Sequence, residues 1–204
     1  PRAVSPIASS KRAVPLRLVL ASTSPRRLDL LRRIGAEPAR IAAPDVDEDV
    51  HAGETPRAYV LRVAIDKARA VARAADEIVL AGDTTIAVGR RILAKPADEA
   101  DLRRMLALLS GRRHHCLSAV CVIGADGKAR TRISDTIVAF KRLSQAEIDW
   151  YVACGEGMGK AGGYAIQGKA EAFVRYLAGS HSGVVGLPVF ETRALLESAG
   201  YGLG

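Results

Sequence analysis

Aromatic residues are scarce in this sequence: Phe, Trp and Tyr make up 4% of its 204 residues. Stacking of bases on exposed rings, a usual grip on single-stranded nucleic acid, is therefore poorly provided for. The same scarcity predicts a core built of Ala, Val, Leu and Ile. Cysteine is scarce too. Cys116, Cys121 and Cys154 contain no C-x-x-C, and an odd number cannot all pair within one chain. Reduced thiols in a cytoplasmic protein are the simplest expectation. No run approaches the roughly 20 apolar residues of a membrane span, so no membrane partner is expected. The four histidines, with His114 and His115 adjacent, lack metal-ligand spacing and read as surface or packing residues. H-E-x-x-H, a nucleophile elbow and a Ser-His-Asp order are all missing, and the glycine-dense GMGKAGG is neither a Walker loop nor G-x-G-x-x-G.

What is present fits a globular protein with a substantial core: 49% of residues are hydrophobic and 25% charged. Lys and Arg outnumber Asp and Glu by 30 to 22, a net charge of +8. That surplus favours an anionic partner without choosing among nucleic acid, membrane and nucleotide. PRAVSPIASSKRAVP, residues 1–15, reads as a loose polar tail rather than a secretory signal, and residues 16–204 as one domain.

Strands and helices alternate along the chain. Leu16, Leu18, Val19 and Leu20 suggest a buried strand, followed by an amphipathic helix after Pro25. Thr55-Pro56 opens a second helix to about Ala75, on which Val60, Ala64, Lys67 and Val71 share a stripe. Ile78–Ala81 reads as a strand that gives out at Gly82-Asp83, with a second apolar run at Ile86–Val88. A helix from about Asp98 to Ser110, a hairpin turning at Ala-Asp-Gly, a helix opened by a Ser144/Glu147 capping box, and a last helix after Pro188 follow. This mixture predicts an α/β fold with a mixed sheet.

The stretch ASTSPRRLDLL concentrates chemistry at one helix start. Ser24 suits the N-cap and Pro25 the first helical position. Arg26 and Arg27 then place two guanidiniums at the helix end that already carries partial positive charge, which is poor for stability. The same arrangement, with the hydroxyls of Ser22, Thr23 and Ser24, suits an anion. A solvated basic helix start accounts for the stretch equally well. Lys67, in line with core residues, is explained either by snorkelling to water or by reaching into a polar cleft. With Lys95, Lys160, Asp83 and the Asp45/Asp47/Glu48 group, the set suits a polyphosphate bound with a divalent ion: cations offset phosphate charge, acids hold the metal, and one acid orients water. A solvated acidic loop explains Asp45–Glu48 as well.

Taken together, LVLASTSPRRLDLL, DVDE, YVLRVAIDKA, AGDTTIAV, AKP, RRMLALLSGRRH, GKAGGYAIQGKAEAFV and GSHSGVVGLP, in that order from Leu16 to about Glu197, resemble the Maf family of nucleoside triphosphate pyrophosphatases. The resemblance implies an α/β fold of two lobes around a central cleft, a mixed twisted sheet with flanking helices, related to the inosine triphosphatases. It implies hydrolysis of a nucleoside triphosphate between the α- and β-phosphates with Mg²⁺ or Mn²⁺. Matched position by position, Asp83 is the proton acceptor for the attacking water. Ser22, Ser24, Arg26, Arg27, Lys67, Lys95 and Lys160 are substrate-binding, and Asp47 and Glu48, with Asp83, attend the metal. Arg26, Thr84 and Gln167 match the branch acting on dTTP and UTP, with modified uridine and cytidine triphosphates as further candidates. A Gln167 amide offers both a donor and an acceptor to a uracil or thymine edge. Gly82, Ala94 and Gly159 depart from the family pattern, and Gly159 stands where an acid is usual before Lys160. That departure keeps a second reading open, a nucleotide-binding regulator of cell division without catalysis. No stable nucleic-acid partner is expected, and a homodimer is left open.

Overall fold

The computed structural model describes residues 15–203. The expected tail over residues 1–15 lies, apart from Pro15, outside them.

Strand β1 (Arg17–Leu20) leads to helix α1 (Pro25–Arg33), short strand β2 (Arg40–Ile41) and helix α2 (Pro56–Ala70). Next come the long strand β3 (Glu77–Val88), β4 (Arg91–Leu93) and α3 (Glu99–Leu109). The hairpin of β5 (Arg113–Ile123) and β6 (Ala129–Phe140) follows, then α4 (Gln145–Ala153), β7 (Val174–Ala178), α5 (His181–Val185) and α6 (Val189–Ser198). One seven-stranded sheet runs in the order β2-β1-β3-β5-β6-β7, with β4 added beside the end of β3. β2, β1 and β3 are parallel and the remaining pairs antiparallel, so the sheet is mixed as expected.

The period-2 pattern of the strands sorts the core. Leu18, Leu20, Ile78, Leu80, Val120 and Val122 face α1 and α6. Val19, Val79, Ala81, Leu117, Ala119 and Cys121 face Tyr59, Val60, Val63, Ala64 and Ala68 of α2. The far ends of β3, β5 and β6 enter a second lobe with α3, α4 and the loops around Tyr164. The expectation of a core made mostly of Ala, Val, Leu and Ile holds in both lobes, and in the second those residues are joined by an aromatic cluster. There Phe140, Tyr151, Tyr164 and Phe173 form a chain of edge-to-face contacts, with Phe140 4.9 Å from Tyr164 and Tyr151 5.5 Å from Phe173. Buried His114 belongs to that cluster, its Nε2 2.8 Å from the Tyr164 hydroxyl. Burial pushes its pKa down to about 4, so it packs as a neutral ring. Cys116, Cys121 and Cys154 are free thiols.

Two local expectations are corrected. β3 does not give out at Gly82-Asp83. β5 pairs it without interruption from Val79↔Ile123 to Ala87↔His115, and this ladder overrides the weak strand propensity of Gly and Asp. α2 ends at Ala70 rather than near Ala75, because Val71 is extended and turns its side chain into the core beneath the helix.

Candidate active site

The cleft originates in a gap along one edge of β3. β1 pairs with Glu77–Leu80, and β4 pairs with Ile86–Val88. Between them residues 81–85 have a strand neighbour on one side alone, β5. A cavity of about 530 Å³ opens at this gap. Side chains from both faces of β3 reach it, so Asp83 and Thr84, pointing opposite ways, line the same space.

Leu20 ends β1 at the cleft, and the chain turns there into α1. Ser24 sits at the N-cap with extended backbone, but its hydroxyl makes no capping bond. Its N–H instead donates to Ser22 Oγ (3.2 Å), which also accepts from Arg27 (3.3 Å). Arg27 Nε donates to the Gly186 carbonyl at 2.9 Å, so its fork is held from two directions. Burial lowers the pKa of both Arg26 and Arg27, and for Arg27 the Asp83 carboxylate opposes that effect. Arginine keeps its charge regardless. Two partly desolvated cations at a helix start call for an anion.

Lys67 decides between its two sequence readings. It is 7% exposed, so it does not snorkel to water. Its Nζ lies 2.8 Å from Asp83 Oδ1 and 3.0 Å from Glu48 Oε1. Asp83 is itself 5% exposed and meets Lys67 through Oδ1. Lys95 follows β4, Lys160 precedes a tight loop, and Gln167 sits in a turn closed by Gly168 N–H to Ala165 O (3.0 Å). All three line the same cavity. Burial, and then neighbouring Arg26, lower the Lys160 pKa, while Glu156 opposes them.

Of the residues singled out from the sequence, Ser22, Ser24, Arg26, Arg27, Glu48, Lys67, Asp83, Thr84, Lys95, Lys160 and Gln167 are brought together here. Asp47 is not. Its Oδ1 accepts from Asp49 N–H at 2.8 Å in a local turn, and it does not line the cavity. Gly159 does line it, with φ +71° and open space where a side chain would stand.

Sequence reasoning missed three contributors. Ser118, fully buried on β5, lies 2.8 Å from the Thr84 hydroxyl. Tyr164 forms part of the cavity wall. Gly186, at φ +139°, turns its carbonyl onto Arg27, and a glycine before Leu-Pro was the available signal. Gly162 fixes how the Lys160 loop meets β3. It has φ +68°, and a Cβ there would lie 2.7 Å from Ile86. Gly162→Ala is therefore expected to cost about 1–3 kcal/mol from backbone strain, with the clash in addition. A lowered urea midpoint together with reduced activity is the expected result, and an unchanged midpoint would contradict it.

The fold and cleft define an α/β protein that gathers cations from separate segments around a buried carboxylate–ammonium pair, an arrangement for a polyanion. The model of the Maf family, described as Maf-like protein, matches residues 17–199, and the chain belongs to that family. A protein of Sphingopyxis alaskensis named dTTP/UTP pyrophosphatase is 75% identical over 92% of this chain and 98% of its own length. One of the same name from Novosphingobium aromaticivorans is 57% identical over 90% and 92%. Among solved structures, the Ham1 protein of Staphylococcus aureus aligns over 61% of this chain and 71% of its own at 21% identity, with a TM-score of 0.46.

Proposed function

We propose that the chain is an enzyme, a nucleoside triphosphate diphosphatase that hydrolyses dTTP and UTP to the monophosphate and pyrophosphate. Relatives carrying that name over nearly their whole length support it. The structural observation that carries it is the meeting of Arg26, Arg27, Lys67, Lys95 and Lys160 in one cavity around Asp83.

In this reading the cations offset the triphosphate charge and fix its position. Lys67 holds Asp83 Oδ1, which leaves Oδ2 to take the proton from water as the water oxygen bonds to the α-phosphorus. The bond from that phosphorus to the bridging oxygen breaks, and pyrophosphate leaves with the electron pair. Arg26, Thr84 and Gln167 face the nucleotide as the residues that choose dTTP and UTP, the Gln167 amide matching a uracil or thymine edge.

A divalent cation fits the donor set in one form. Among the described residues no three His, Cys, Asp or Glu side chains are grouped to cage a metal. Asp83 and Glu48 nevertheless supply two carboxylates in the cleft, which suits an ion such as Mg²⁺ that is bound by one or two carboxylates plus substrate phosphates. When bound, such an ion would supply further charge neutralisation for the phosphates. Asp47, expected to help, stands outside the cavity. The continuous sheet supports one domain of two lobes. Among the described residues no helix is long and apolar enough to cross a membrane. A cytoplasmic location belongs to the same proposal.

A panel of triphosphates assayed for pyrophosphate release, with and without a chelator, tests this reading. dTTP and UTP are expected to turn over with Mg²⁺ or Mn²⁺, and chelation to abolish the activity. Saturable nucleotide binding with no release under any metal would instead favour the non-catalytic regulator that Gly159 keeps open.

A further inference from the structure

The connection from Ala42 to Thr55 contains no helix or strand, yet it delivers Glu48 to Lys67. The ion pair cannot by itself order this loop. Glu48 is 44% exposed at its side chain, and a pair that open to water holds too weakly to repay the entropy of fixing several residues. The ordering comes from α2. Tyr59 Oη donates to the Glu48 carbonyl at 3.0 Å. One turn on, Arg62 donates to the Asp49 carbonyl at 2.8 Å and, as a two-pronged fork, to Glu54 at 2.8 and 2.9 Å. Glu54 in turn accepts from His51 N–H at 3.0 Å. The Arg62 fork, with that backbone bond, holds the Glu54 carboxyl down at about 2, so the clamp stays charged at neutral pH. The guanidinium also lies 5.7 Å from the Tyr59 ring centroid.

We infer that Arg62, assisted by Tyr59, is a positioning residue: it pins the Asp49–Glu54 segment so that Glu48 meets Lys67, and one ammonium is shared by two carboxylates. Arg62 does not itself line the cavity and does not touch Asp83: it reaches the site through Tyr59 and Glu48, which do line it. The inference rests on the reading of Glu48 as part of the working site. Arginine is required because the contact is forked, reaching a carboxylate and a carbonyl together, which a lysine does not span.

The test is a double-mutant cycle on the full chain, reading kcat/KM for UTP and the Mg²⁺ concentration giving half-maximal rate. Amide hydrogen exchange of residues 49–54 in the free chain, which Arg62→Met is expected to speed, is the readout independent of activity. Arg62→Met is expected to lower kcat/KM about 10-fold and raise the Mg²⁺ requirement, as loss of an outer support does. Glu48→Gln is expected to do the same or more. The double variant should be no worse than Glu48→Gln alone, since the clamp has nothing left to position. Tyr59→Phe, which removes the hydroxyl that holds the Glu48 carbonyl and keeps the ring in the cavity wall, should move both kinetic readouts in the same direction and carries the test if Arg62→Met folds poorly. Losses that multiply in the double variant overturn the clamp. A Glu48→Gln enzyme with unchanged turnover and Mg²⁺ dependence would instead remove Glu48 from the site, and the inference with it.

Discussion

Asp83→Asn is expected to abolish turnover of dTTP and UTP while leaving nucleotide binding within a few-fold of wild type. The substitution is nearly isosteric. An amide oxygen still accepts from Lys67 Nζ, now 2.8 Å from Asp83 Oδ1, and the cavity keeps its shape. What is lost is the one capacity an amide lacks, taking a proton from water at neutral pH. General-base contributions of about 10²–10⁴-fold set the scale of the expected fall in kcat. Arg26, Arg27, Lys95 and Lys160 remain to hold the triphosphate. Steady-state pyrophosphate release paired with calorimetric binding of dTTP to the variant separates the two effects. Near-wild-type turnover would remove Asp83 from its role, whereas loss of binding and turnover together would make it a structural residue.

Lys67→Met should damage stability as well as activity. It leaves Asp83, 5% exposed, with its nearest cation gone and Glu48 as a like-charged neighbour. Removing one partner of a buried pair costs roughly 3–5 kcal/mol. The cavity admits water beside Asp83, so the lower end, about 3 kcal/mol, is the expected value. Adding Asp83→Asn should restore most of that loss, because the buried charge is gone and Glu48, 44% exposed at its side chain, is left open to water, yet the double variant should remain inactive. Urea denaturation at pH 7 reads the stability difference directly. If Lys67→Met unfolds at the wild-type midpoint, water screens the pair and the buried reading of Lys67 is wrong.

Sequence patterns revealed much of the local structure because those features depend on neighbours within a few residues. The Ser144/Glu147 box caps α4 with both reciprocal bonds, as its spacing implies. Asp126 and Gly127 close the β5–β6 hairpin, with Gly127 at φ +75°. Pro25 and Pro56 open their helices at the first position. Local reasoning failed where distant chain segments intervene. Gly82-Asp83 looked like a strand end, but the partner that keeps β3 extended there is Ala119-Val120, far along the chain. Asp47 and Glu48 were indistinguishable as neighbouring acids, and a local turn took one while Lys67 took the other. Nothing local set Arg62 apart from Arg57 and Arg69 on the same helix, since an arginine on an amphipathic helix usually belongs to the solvated face.

The amino-acid order alone determined the helix starts, the hairpin, the α/β class and the set of cations and carboxylates that the proposed polyphosphate site draws on, because capping, turn chemistry and hydrophobic period act over short range. The tertiary structure alone decided which of those charges meet. β1 stops and β4 starts on the same edge of β3, and the gap between them brings loops from both lobes around one carboxylate. No local preference encodes that juxtaposition: it follows from strand pairing between segments far apart in the chain, and from the buried lysine that this pairing leaves facing Asp83.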